Sequence, residues 1–336
     1  MRGRIFCGTI AVLLLVLTVL SLASGSYPLT AEDISGSFRE FFLPREMQSM
    51  PTRVFWGLRF PRTLTALLSG AVLGLCGGIY QMLFDSPLAS PDLTGIASGA
   101  SFGAALAIVG GIGGSFARMG CAFLGGMLSL GLVLLLVRSS GRGRERTGTY
   151  ILAGIVISAV CDAGLMVLKT LADPERQLAA IDFWTMGSLA AVSSEKAVPL
   201  FWMTAPSLVL LLLFRRPVTM LSLGDDECLA SGLSPNRWRF LLLTLCTLAV
   251  SASAAVTGVI GFVGLIAPHI ARFLYRRKSG AYPAFCAAVG GAILLAADLA
   301  ARSLGGGAEL PISIFTVAAG VPVLVVLLCT KREDRI

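Results

Sequence analysis

Apolar residues in this chain run in long blocks instead of alternating with polar ones. A membrane-crossing helix needs roughly 20 mainly apolar residues, within a range of about 17–25. Ten blocks meet that pattern: 5–24, 61–84, 93–111, 117–137, 149–171, 197–214, 238–256, 259–274, 282–301 and 311–330. The eighth is short and interrupted by Gly261, Gly264 and Pro268, so it is not expected to cross as a plain helix. Pro61 and Pro311 suit a first helical turn, where a missing N–H costs nothing. Gly70, Gly74 and Gly78 recur every four residues, a ridge that lets another backbone approach closely. Ala288, Ala292, Ala296 and Ala300 form a second such ridge. Phe183 and Trp184 read as interfacial anchors before the sixth block. The expected fold class is an all-α polytopic membrane protein, one permease domain over 1–336 with about ten transmembrane helices.

Composition agrees. Of the 336 residues 55% are hydrophobic and 14% charged, with a mean hydropathy of +0.82. Soluble chains are about 25% charged, so the shortfall excludes a soluble globular enzyme. It also excludes disorder, which needs low hydrophobicity and high net charge. A single His excludes multi-His metal sites. Of the eight Cys, only Cys228 lies in a polar loop, and there is no C-x-x-C pair. These residues read as small buried hydrophobes, and no metal site is expected.

The net charge of +8 would suggest nucleic acid in a soluble protein. Here Lys/Arg-rich cytoplasmic loops explain it better, and no nucleic-acid partner is expected. With the N-terminus inside, 17 of the 27 Lys and Arg fall on the inner side and 10 outside. The short segments 138–146 and 272–278 are the densest. Both termini are therefore expected in the cytoplasm of a bacterial cell, the chain crossing the inner membrane repeatedly. The first block has a second reading: Arg2, Arg4, an apolar run and Ala23-Ser24-Gly25 also fit a cleaved signal peptide. A retained helix is preferred because an even count puts both termini on one side.

Three segments carry more than composition. Residues 58–100 read LRFPRTLTALLSGAVLGLCGGIYQMLFDSPLASPDLTGIASGA. Residues 221–239, LSLGDDECLASGLSPNRWR, are a polar insertion between two apolar blocks. Residues 258–273, GVIGFVGLIAPHIARF, precede LLAADLAAR at 294–302 and AELPISIFT at 308–316. In this order and spacing they resemble the FecCD family of ABC-importer permeases, which includes vitamin B12, iron–siderophore and haem permeases. The resemblance runs from about residue 55 onward. It implies a BtuC-like type II importer permease fold, a ten-helix subunit that pairs around a central pathway. Two departures stand out: Asp85-Ser86 where the family commonly has Arg-Asn or Glu-Asn before Pro-Leu-Ala, and Asp162 inside the fifth block.

No G-x-x-x-x-G-K-[ST] phosphate loop occurs, so a separate ATPase subunit must use the ATP. The chain is expected to be non-catalytic and to bind no cofactor. Within 221–239, Gly224 and Gly232 bracket a helix-sized piece with Asp225, Asp226 and Glu227 in its first turn, where acids complement the helix dipole. Leu229 and Ala230 follow. From the residues alone a solvated loop fits as well; the resemblance implies a cytoplasmic segment coupling to the ATPase.

An acid at a helix centre costs about 2.5–3.5 kcal/mol on insertion scales. Asp162 either lines a pathway or sits nearer the surface than the block suggests. Gln81 either lines the lower pathway or bonds a neighbouring backbone. His269 reads as a structural hydrogen-bonding residue. Asp298 and Arg302, four apart, can pair on one helix face. The resemblance implies that Arg59, Arg62 and Arg302 face a substrate-binding protein; anchoring of helix ends competes for each.

The function expected is import of a metal chelate, a ferric siderophore first with haem or cobalamin next, by ATP-driven alternating access. The partners implied are a second permease copy, identical or not, two ATP-binding subunits, an extracytoplasmic substrate-binding protein and the lipid bilayer. The alternative is an ion-coupled secondary transporter using Asp162, which predicts an inverted internal repeat; none is evident.

Overall fold

A computed structural model describes residues 2–25, 27–44, 46–140, 146–274, 280–304 and 309–330. All regular structure among them is helical. The order begins α1 (Arg2–Ala23), α2 (Ala31–Glu40) and α3 (Met50–Val54), which passes through a π turn into α4 (Phe60–Leu83). There follow α5 (Ile96–Val109), α6 (Ser115–Ser139), α7 (Arg146–Leu171), α8 (Ala179–Thr185) and α9 (Ser194–Leu213). The rest are α10 (Arg215–Leu221), α11 (Asp225–Ala230), α12 (Pro235–Thr257), α13 (Val263–Leu274), α14 (Tyr282–Leu304) and α15 (Ile312–Thr330).

Each of the ten apolar blocks carries a helix. Among the described residues six helices are long and apolar enough to cross a membrane, and four shorter apolar ones lie at the remaining blocks. The eighth block is broken as its glycines and proline predict. Gly258 ends α12 with φ 70°, Phe262 follows at φ 69°, and only Val263–Leu274 is helical. The left-handed region strongly favours Gly, which explains the stop at 258. Asp85, the departure noted at the end of α4, also takes a left-handed φ of 42°, a conformation Asp tolerates better than most residues.

The centre of the subunit is α4, 78% of whose apolar window is buried. It packs chiefly on α14 and α13, with α12 and α9 beside them. Close approach is built in by Gly. A methyl group on Gly70 would meet the backbone of Gly290, one on Gly74 the carbonyl of Cys286, and one on Gly77 the carbonyl of Gly264. The expected Gly70–Gly74–Gly78 ridge is thus the α4–α14 contact. The Ala ridge on α14 is not its counterpart. The facing surface there is Cys286, Gly290 and Gly291, while Ala296 is exposed. A four-residue repeat marks a helix face but does not say which face finds a partner.

A second group comprises α5, α6 and α7, joined to the first through α12. Its outermost member, α7, has only 17% of its apolar window buried. The first helix packs on α14 and α4, so in this fold α1 is a member of the bundle.

Candidate functional site

The polar insertion forms two short helices. α10 carries the chain away from α9, and α11 stands between two glycines with positive φ, Gly224 at 130° and Gly232 at 76°. Cys228 of α11 is fully buried, and burial pushes its thiol pKa up. Asp225, Asp226, Glu227 and Ala230 are exposed, and Leu229 is 60% exposed. The helix therefore has one side seated on the subunit and one side, acidic with an apolar Leu229, turned outward. Its C-terminal end closes with Leu233 N–H donating to Cys228 O at 3.1 Å, the bond that commonly terminates a helix at Gly.

Arg239 fixes this piece to the bundle. It lies in the second turn of α12 with 6% of its surface exposed. Its Nη2 donates to Asp225 Oδ1 at 2.9 Å. Nε and Nη1 of the same guanidinium are buried with no hydrogen-bond partner among the described residues. The pair links α11 to α12, which packs against α4, α5, α6 and α9.

At the opposite end of α4 and α14, the three arginines form an internal clasp. Arg62 meets Asp298 Oδ1 through Nη2 at 2.9 Å and Glu309 Oε1 through Nη1 at 2.6 Å. Arg302 Nη2 stands 2.9 Å from Asp298 Oδ2, the i,i+4 pair expected from sequence. It also donates to Ser21 Oγ at 2.7 Å and to the carbonyls of Ser21 and Ser24. Arg59 donates to the carbonyls of Leu22, Ala23 and Tyr27. Arg59 and Arg62 are buried, and Asp298 is completely so. These charges hold the ends of α1, α4 and α14 together and present little free surface in the isolated subunit.

The two pathway candidates part company. Gln81 is buried, and its Nε2 donates to Leu265 O at 3.3 Å, which ties α4 to α13. Its Oε1 has no hydrogen-bond partner among the described residues. Asp162 is exposed on α7. His269 sits on α13, half-buried. Among the described residues no cluster of three or more His, Cys, Asp or Glu could hold a metal ion.

Sequence reasoning missed Glu309 and Arg239. Glu309 is 247 positions from Arg62, so no local pattern announces it. Arg239 shows in sequence only as a positive charge at the end of the polar insertion. None of the ten apolar blocks covers 25–60, yet Thr30 and Asp33 form a capping box there that opens α2.

The comparisons with known proteins agree over the whole chain. The model of the FecCD transport family matches residues 13–330. The hemin transport system permease protein HmuU of Yersinia pestis is 35% identical over 344 residues, covering 100% of this chain and 99% of that one. The vitamin B12 import system permease protein BtuC of Klebsiella pneumoniae is 34% identical over 336 residues, covering 98% and 95%. A solved structure described as an inward-facing metal-chelate type ABC transporter superposes with a TM-score of 0.85 at 33% identity, covering 98% of this chain and 99% of that one. PsaBC from Streptococcus pneumoniae, at 18% identity and a TM-score of 0.57, shares the fold alone. The chain belongs to the FecCD transport family of ABC-importer permeases.

Proposed function

We propose that this chain is the membrane permease of an importer that carries a metal chelate into the cytoplasm, paired with a second copy and driven by two separate ATPase subunits. ATP is used by those subunits, and the permease itself holds no cofactor. The names of the relatives point to haem and cobalamin as cargo, with a ferric siderophore as the third choice. An extracytoplasmic binding protein delivers the chelate to the face formed by the clasped ends of α1, α4 and α14. The face bearing α11 lies in the cytoplasm with both termini.

The observation that carries the reading is α11 itself: an exposed acidic helix with an outward apolar residue, pinned to α12 through Asp225 and Arg239. Closure of the ATPases against α11 moves α12, and through it the helices around α4, so the pathway opens alternately to the two sides. Full-length similarity to ABC permeases favours this over an ion-coupled carrier. The test is uptake by proteoliposomes that contain the chain, its ATPase and its binding protein, offered haem, cobalamin and a ferric hydroxamate in turn. Uptake of one of them that needs ATP and all three proteins supports the reading. Uptake driven by an ion gradient without the ATPase overturns it.

A further inference from the structure

The exposed side of α7 holds Leu152, Ile155, Val160, Met166 and Val167, the composition of a surface out of water. Asp162 stands on that side, sharing a strip with Ile155, Ala159 and Met166. At 1.5 Å per residue it lies about 24 Å from Arg146 and about 14 Å from Leu171. That depth is inside a hydrocarbon layer about 30 Å thick. Asp162 has no hydrogen-bond or ion-pair partner among the described residues. The nearest described cation along the helix, Lys169, is committed to Asp182 at 2.7 Å.

A carboxylate facing lipid at this depth would cost about 2.5–3.5 kcal/mol or more, and none of the described residues offsets it. Such residues face a bundle interior or a water-filled cavity. The subunit's own interior is on the other side of α7, against α5 and α6. We propose that Asp162 lines the water-filled translocation path between this chain and its second copy, where the paired carboxylates favour neutral or cationic chelates over polyanionic ones. This deepens the importer reading and rests on it. A passage with low-dielectric walls and one sign of charge focuses its field, changing local ion concentrations and rates by about 10–10³-fold. A chelate with a net charge of minus three, such as a ferric tris-catecholate, is repelled at this level; a neutral hydroxamate chelate is not.

The test uses the assembled complex with its ATPase and binding protein, carrying Met166→Cys one turn from Asp162. The probes are a cationic trimethylammonium-ethyl and an anionic sulfonatoethyl methanethiosulfonate. Labelling of the native thiols, measured on the parent complex, is subtracted. With Asp162 present the cationic reagent is expected to be favoured about tenfold beyond its preference for a free thiol in solution. Asp162→Asn in the same background should return the ratio to the solution value. A complex that assembles and hydrolyses ATP yet reacts with neither reagent places this strip in lipid and overturns the proposal. A ratio unaffected by Asp162→Asn overturns it too. Failure of the parent chain to assemble with any ATPase would count against the importer reading instead. Should Met166→Cys alone disturb assembly, Ala163→Cys on the same exposed side takes its place.

Discussion

Arg239 of α12 and Asp225 of α11 meet at 2.9 Å, the guanidinium nearly buried and the carboxylate about half exposed. The pair joins a surface helix to the packed bundle, beside the buried Cys228 of the same helix. Because Asp225 is so exposed, solvent screens the bond, and its contribution to stability is about 1 kcal/mol or less. Asp225→Asn is therefore expected to leave the melting temperature of the purified permease within a few degrees of wild type. Its effect belongs to coupling: stimulation of ATP hydrolysis by the loaded binding protein should fall severalfold. Measuring melting and stimulated hydrolysis on the same preparation checks both halves.

Asp298 predicts the opposite balance. It is completely buried between Arg62 and Arg302, so Asp298→Ala leaves two buried guanidiniums facing each other. Removing one partner of a buried ion pair costs about 3–5 kcal/mol. Asp298→Ala should melt well below wild type or fail to accumulate, whereas Glu309→Gln, at a 40% exposed side chain, should cost about 0–1 kcal/mol. Thermal denaturation in detergent distinguishes them. The same geometry makes Arg62→Glu a destabilising change and not merely a weakened docking charge.

The close contact of α4 with α14 gives a third expectation. Gly74→Ala drives a methyl into the Cys286 carbonyl, while the exposed surface at Gly120 has nothing near it. Overpacking costs about 1–3 kcal/mol, and here the obstacle is backbone, which cannot rotate away. Gly74→Ala should lower the yield of folded permease and Gly120→Ala should not, read by size-exclusion profiles of the two variants.

How much of this was legible beforehand follows from the range of each interaction. The ten apolar blocks, the break at 259–274 and the Asp298–Arg302 pair are local patterns, and each appears in the fold. The acidic piece between Gly224 and Gly232 is local too, and it is α11. What decides the clasp is not local: Arg62 and Asp298 are 236 positions apart, and only the packing of α4 on α14 brings them together. For the same reason Gln81 could not be assigned between a pathway and a neighbour until Leu265 was placed beside it. The α10 helix went unread because seven residues give too short a window for a 3.6-residue period to show.

The segment between α1 and α4 carries a pH dependence. Glu40 accepts from Ser49 N–H at 2.9 Å and from the hydroxyls of Ser49 and Thr52, each at 2.6 Å. These bonds, chiefly the Ser49 hydroxyl, hold its pKa below the ordinary 4.5. A depressed carboxylate contributes order that is complete above the ordinary value and is lost as pH falls through the folded one. Amide protection over 37–56, corrected for intrinsic exchange, should therefore stay level down to about the ordinary carboxylate range and drop only below it. Glu40→Gln should show the reduced protection already at neutral pH, without the acid step.

The most direct test of the account is binding-protein-stimulated ATP hydrolysis by the reconstituted complex, wild type against Leu229→Glu. Leu229 is exposed on α11, so the charge leaves the subunit's core untouched and falls on the surface proposed to meet the ATPase. Loss of a hot-spot contact at the centre of an interface costs about 2 kcal/mol or more, about thirtyfold in affinity. The account predicts that Leu229→Glu inserts and melts like wild type yet loses the ATPase subunit or its stimulation. Unchanged association and unchanged stimulated hydrolysis in that variant would contradict it.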